Sequence, residues 1–265
     1  MTLCWLYRKA EICKYNMATV RWTRQQSLIV FSLYFRLPFG RFHSRNPDVI
    51  QYANLVSRTP SAVAMKLSNI ASLDPAITQS GRSGLTGASS ADKVMWQEMQ
   101  QDWAAFSVAM AQAEQELGVD NFTDCVNTAS NAETTKLAAV KVRIGQQFFR
   151  SAVISAYNQR CCISGLANPK LLVASHIVPW KTDEQNRLNP HNGLALSALH
   201  DKAFDLGLIT VDEDYRVVVS SQNTDKSDQF YTAAIASFHG KPITLPEKFY
   251  PAAQFLAFHR EHIFQ

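Results

Sequence analysis

The chain has 265 residues, 46% hydrophobic and 18% charged, with a formal net charge of +4. That is ordinary globular material, enough for one large or two modest cores, and the positive balance fits a nucleic-acid partner. Five cysteines, an odd number without paired spacing, exclude a disulfide framework and fit a reducing, cytoplasmic setting.

Residues 1–16 mix apolar and basic side chains without the uninterrupted apolar core that defines a signal peptide or a membrane span. Met17 is an expected start of translation, with residues 1–16 then either untranslated or a disordered tail. From Thr23, a suitable N-cap, an apolar stripe of Leu28, Phe31, Leu33, Tyr34 and Leu37 predicts a helix ending before Pro38. Asn46–Pro47 opens a second helix through Val49, Ile50, Ala53 and Leu55, and Thr59–Pro60 opens a third. The expectation is a helix-turn-helix-like domain over residues 17–76. Arg58, Ser61, Lys66 and Asn69 are its candidates for DNA contact. The alternative for the third helix is dimerisation or packing against the rest of the chain.

Residues 76–92 carry Gly81, Gly84 and Gly87 among Ser and Thr, a linker or loop. Gly81 to Gly84 lacks the preceding strand and following Lys of a phosphate-binding loop. Residues 93–117 predict one long amphipathic helix bearing Val94, Trp96, Met99, Trp103, Phe106, Val108 and Met110. The polar stretch 118–135 is expected to be loose, so residues 77–137 read as linker and amphipathic helix. A helix over 136–157 then leads into a third unit, 138–265, with Lys141, Arg143, Arg150 and Arg160 along the approach as candidates for DNA-backbone contact.

Residues 171–177 form an apolar, β-branched run, a strand carrying His176 near its end before Pro179. Residues 181–190 are a loop. Gly193 to Leu196 is a second strand, Ser197 an N-cap, 198–206 a short helix and Gly207 its left-handed cap. This strand, loop, strand, helix order places His176, Asn192 and His200 at one candidate site. Phosphodiester hydrolysis needs a proton acceptor titrating near neutrality, which an imidazole supplies. It needs a group that holds that ring in one tautomer, which the Asn192 amide suits. It also needs ligands for a divalent cation, and His200 and Asp201 are of the right type. Asp201 and Asp205 share one helical face, while His200 points about 100° away from Asp201, so the three are not expected to bind one ion. Cys161 and Cys162, adjacent and followed by Ile-Ser-Gly, lack zinc-knuckle spacing and are expected as small buried side chains beside a turn at Gly165.

SHIVPW (175–180), HNGLAL (191–196), LHDKAFD (199–205) and GLIT (207–210) resemble the HNH, or ββα-metal, nucleases, and within them a group of bacterial restriction-type endonucleases. WTR, LPFG, HSRNP and RTPSAVAMKLSN, between residues 22 and 69, resemble the amino-terminal block of the same group. The resemblance implies an α+β chain with an N-terminal three-helix, helix-turn-helix-like domain, long linking helices and a C-terminal ββα-metal domain followed by a β-hairpin. It implies His176 as general base, Asn192 as the middle residue of the motif, and His200 or Asp201 as metal ligand. Many HNH nucleases have Asp or His before the general base; here that position is Ser175, a weak neutral ligand, leaving His200, Asp201, Asp205 and His191 as candidates to complete the shell.

After the helix, residues 208–211 and 215–219 predict a hairpin, and 242–245 a further strand-like run. The last helix carries His259 and His262, three apart, without a third metal partner. Two functions from different classes follow. One is a DNA endonuclease dependent on a divalent ion, Mg2+ first and Mn2+, Ni2+ or Zn2+ otherwise, acting in restriction or defence against foreign DNA. The other is a non-catalytic DNA-binding regulator or scaffold that keeps the fold. A double-strand cut by a single-metal site requires two active sites, so a homodimer is a corollary.

Overall fold

The structure, a computed structural model, describes residues 21–79, 87–118, 133–222 and 228–265. The readings of residues 1–16, of the Gly81 to Gly84 turn and of most of 118–135 fall outside the described residues.

Helix α1 (Arg24–Arg36) opens with a capping box, in which Thr23 accepts from the Gln26 amide and the Gln26 side chain accepts from the Thr23 amide. The expected apolar stripe proves too narrow, because every residue from Ser27 to Phe35 is buried. A helix buried all round is a central element rather than a surface one. Helices α2 (Pro47–Leu55) and α3 (Pro60–Ala71) begin where Asn46 and Thr59 cap them, each with proline in the first turn. A short α4 (Pro75–Gln79) follows.

The single helix expected over 93–117 is two. Helix α5 (Ser90–Gln101) starts earlier, at a Ser89–Asp92 capping box, and α6 (Trp103–Glu116) starts after a break at Asp102. Asp102 adopts extended backbone and accepts from the Ala105 amide, so a short polar side chain ends one helix and caps the next. Apolar periodicity does not see such a break.

Helix α7 (Glu133–Ala156) runs behind a two-stranded antiparallel sheet of β1 (Leu172–His176) and β2 (Gly193–Ser197), with His176 opposite Gly193. Helix α8 (Ala198–Asp205) leaves β2 through the Ser197 N-cap. The turn at Gly207, with φ of 69°, ends it. Strands β3 (Ile209–Val211) and β4 (Val217–Val219) form a separate hairpin, followed by α9 (Gln229–Ala234) and α10 (Ala253–His262). Residues 242–245, expected to be strand-like, form an isolated bridge between Pro242 and Arg216 rather than a strand, and the Ile243 and Thr244 amides donate to the Tyr215 and Cys162 carbonyls.

One hydrophobic core extends from Leu28 in α1 to Leu256 in α10. Phe35 meets Phe148 of α7 edge-on at 4.8 Å and stacks on Phe249 at 5.5 Å. Burying each such side chain contributes roughly 1.5–3 kcal/mol. Lys248, fully buried, donates to the Tyr34 and Leu37 carbonyls at the end of α1 (2.6 and 2.8 Å), satisfying oxygens the helix leaves open. Burial pushes its ammonium down to about 7. Close approach sets the spacing of the sheet from α7: a Cβ on Gly193 would lie 2.4 Å from Val153 Cγ2, so glycine lets β2 lie flat on the helix.

Candidate active site

His176 closes β1 beside a cleft of about 460 Å³ whose lining includes Ser175, His176, Trp180, Asp201 and Asp205. Three contacts hold its ring. Phe149 of α7 lies parallel to it at 4.0 Å, Trp180 meets it edge-on at 5.4 Å, and Nε2 is 2.8 Å from the Arg187 carbonyl. A carbonyl only accepts, so Nε2 carries the proton and Nδ1 keeps its lone pair. Burial lowers the imidazole below its ordinary value, partly offset by the Arg187 carbonyl and the Asp201 carboxylate. The ring is therefore neutral at pH 7, the state a proton acceptor requires.

Asn192 does not touch that ring, contrary to expectation. It is fully buried; Oδ1 accepts from the Val178 amide at 2.8 Å, and Nδ2 donates to the Val178 and Asn186 carbonyls at 3.2 and 3.3 Å. An amide offering both donor and acceptor joins the two ends of the loop after β1. Arg187, next to Asn186, then presents its carbonyl to His176. The guanidinium of Arg187 adds a bond to the Trp180 carbonyl (2.6 Å) and lies over the indole at 5.3 Å.

His200 is absent from the cleft. It is buried, with Nδ1 2.9 Å from Ser197 Oγ and 3.5 Å from Cys161 Sγ, and Nε2 2.9 Å from the Ala234 carbonyl. It lines a second, largely apolar cavity of about 510 Å³ with Leu171, Leu199 and Phe238, which shares no lining residue with the first. The helical geometry explains the separation: Asp201 and Asp205, one turn apart, face His176, and His200 faces away. Cys161 and Cys162 are buried, as expected of small side chains beside the Gly165 turn.

Among the described residues no three His, Cys, Asp or Glu side chains are grouped to hold a metal ion. The cleft brings the Asp201 and Asp205 carboxylates, oxygen donors that suit Mg2+ with several waters retained, together with the His176 imidazole. Burial, and then the neighbouring Asp201, raises the Asp205 carboxyl above its usual value, and a cation between them would relieve that repulsion. His259 also lines the cleft, but its Nδ1 takes the Thr210 hydroxyl at 2.8 Å and its Nε2 reaches the Phe204 carbonyl at 3.1 Å. His262 is exposed and bonded to the Phe258 carbonyl, so these two histidines do not form a site. His191 bonds the Tyr250 carbonyl at 2.7 Å and does not line the cleft either.

The basic candidates scatter. Lys66 is the clear departure: it is buried and ion-paired with buried Asp92, so it is not presented to DNA. Arg58 donates to the Arg21 carbonyl at 2.8 Å and to Gln26 Oε1 at 3.1 Å, and lies over Trp22. Arg150 is exposed on α7 and donates to the Leu172 and Pro169 carbonyls, tying down the start of β1, in a cavity with Arg36, Gln147 and Gln159. Arg160 is exposed and reaches the Gly165 carbonyl at 3.3 Å; Arg143 is half-buried on α7. No described helix is long and apolar enough to cross a membrane.

Phe149, Trp180 and the Arg187 carbonyl are the site residues that the sequence reading missed. Trp180 was visible within SHIVPW, and Phe149 within the stripe of α7. A backbone carbonyl has no side-chain signature and could not have been found.

Residues 161–212 match the family model described as HNH endonuclease. No curated protein matches the chain.

Proposed function

We propose, starting from the HNH endonuclease match over residues 161–212, that the chain is a metal-dependent DNA endonuclease with His176 as general base. The observation that carries this reading is the cleft itself: an imidazole pinned by Phe149, Trp180 and the Arg187 carbonyl lines, with two carboxylates, a space open to a ligand.

In this reading His176 Nδ1 takes the proton of the attacking water, and the imidazolium that forms keeps its Nε2 bond to Arg187 and gains from nearby Asp201. Asn192 acts at one remove, by fixing the loop that carries the Arg187 carbonyl. Asp201 and Asp205 would hold a divalent ion, which when bound would supply charge neutralisation for the phosphate and the departing oxygen. Arg150 and Arg160, exposed at the end of α7 and just beyond it, are proposed to meet flanking phosphates.

Supercoiled plasmid, methylated and unmethylated, incubated with the protein and Mg2+, Mn2+ or EDTA tests the reading. Cleavage should require metal, and His176→Ala should abolish it while DNA affinity stays near wild type. Dependence of cleavage on methylation state would place the activity in restriction or defence. A second reading, DNA binding without turnover, draws on Ser175, a neutral hydroxyl where related nucleases often have Asp or His. It expects DNA binding with plasmid left supercoiled in every metal.

A further inference from the structure

We propose that His191 is a positioning residue, through which α1 and the turn between α3 and α4 hold the loop that orients His176. The proposal rests on the nuclease reading for its effect on cleavage, but the geometry it invokes can be read without turnover.

The link is the segment from Glu247 to Ala252, which touches both ends of the path. On one side, Lys248 donates to the Tyr34 and Leu37 carbonyls at the end of α1. The Phe249 amide donates to Oδ2 of buried Asp74 at 3.3 Å. Asp74 immediately precedes α4, and it also takes the Tyr34 hydroxyl at 3.2 Å and the Ala76 amide at 2.9 Å. On the other side, the Tyr250 carbonyl lies 2.7 Å from His191 Nδ1. A carbonyl only accepts, so Nδ1 donates. The Ala252 amide then donates to the His191 carbonyl at 3.1 Å.

Phe249 sits between the two sides with a φ of 56°, a conformation that a bulky residue keeps only where its surroundings impose it. Its ring stacks on Phe35 and Trp96 and meets the His191 imidazole edge-on at 5.6 Å. The segment is shaped by what it joins.

From His191 the path is short. Its neighbour Asn192 accepts from the Ile177 amide at 3.0 Å, directly after His176, and its side chain bonds Val178 and Asn186. Arg187 follows, and its carbonyl holds His176 Nε2. His191 does not line the cleft, so its influence on the reaction passes through position alone.

The side chain supplies one donor, which His191→Ala removes and His191→Asn retains, because the Asn Nδ2 occupies nearly the place of Nδ1. Asp74→Asn tests the far end, since one oxygen cannot accept from both the Ala76 and Phe249 amides. Single-turnover plasmid cleavage in Mg2+ is measured at a temperature where melting curves show every variant folded. The rate should fall about tenfold or more in His191→Ala and Asp74→Asn, and stay within about threefold of wild type in His191→Asn. DNA affinity should remain near wild type in all three. Ring 15N shifts of His176, assigned by their absence in His176→Gln, read the same coupling without DNA. They should show the Nε2–H tautomer in wild type and His191→Asn, and a mixture of tautomers in His191→Ala and Asp74→Asn.

Wild-type cleavage with unmoved His176 shifts in His191→Ala, or in Asp74→Asn, would overturn the proposal. So would a loss in His191→Asn equal to that in His191→Ala. Plasmid left uncut by the wild-type protein sinks the nuclease reading alone, because the ring shifts still decide whether His191 holds His176.

Discussion

The His176 imidazole lies flat against the Phe149 ring, with centroids 4.0 Å apart and planes 6° from parallel. The contact joins the end of β1 to the middle of α7 and fixes the plane in which Nδ1 points. Phe149→Leu keeps an apolar filler but removes the flat surface. It should cost roughly 1–2 kcal/mol of stability and lower single-turnover cleavage roughly 10- to 100-fold, since small misplacements of a reacting group are expensive. DNA affinity should stay near wild type. Cleavage at the wild-type rate would mean that Trp180 and Arg187 hold the ring without help.

Asn192 ties the loop after β1 shut with bonds to Val178 and Asn186. Replacing it by Ala leaves a buried amide and two carbonyls to lose their partner, at roughly 3 kcal/mol in all given about 1–3 kcal/mol for each unmade buried bond. Asn192→Asp should be no better, because its second oxygen would face two carbonyls. Urea unfolding measures the loss, and limited trypsin digestion at exposed Lys181 reports loosening of the loop. Equal digestion rates in variant and wild type would show that the loop holds its shape without this amide.

Helix caps and turns were the most legible part of the chain, because they depend on neighbours in sequence. Thr23, Asn46, Thr59 and Ser197 each cap the helix their identity implied. The β1, β2, α8 order and the divergence of His200 from Asp201 also followed from local periodicity. The break at Asp102 did not, since a carboxylate in the middle of a helix pattern looks like any solvated residue until it caps. Nor did the burial of Lys66 or the true duty of Asn192. Both depend on partners distant in sequence or on backbone atoms, Asp92 in one case and Val178 in the other.

The Lys66–Asp92 pair separates a structural cation from a DNA contact. Both side chains are buried, and Asp92 also accepts from the Ser89 amide and hydroxyl. Lys66→Met should strand the carboxylate and cost roughly 3–5 kcal/mol, with much of it recovered in a Lys66→Met/Asp92→Leu double variant. DNA affinity of the folded protein should keep the wild-type salt dependence, whereas loss of a phosphate contact would reduce the slope by about one. Urea midpoints and affinities across a salt series decide between the two.

His259 supplies a pH dependence of stability with a defined sign. Burial against α8 depresses its imidazole to about 4, despite the Phe204 carbonyl, while the unfolded chain titrates at about 6.5. Between those values the unfolded state binds a proton that the folded state refuses, so stability falls as the medium is acidified through that window and is flat with respect to this group above it. The full loss is roughly 3 kcal/mol. Asp74 and Asp205, whose carboxyls burial raises, act in the opposite sense at the acid end, so the comparison must be with a variant. His259→Gln should be less stable near neutrality yet show a shallower decline from about pH 6.5 to 4. Parallel stability curves for the two proteins would mean that the ring accepts its proton without leaving Phe204 and Thr210.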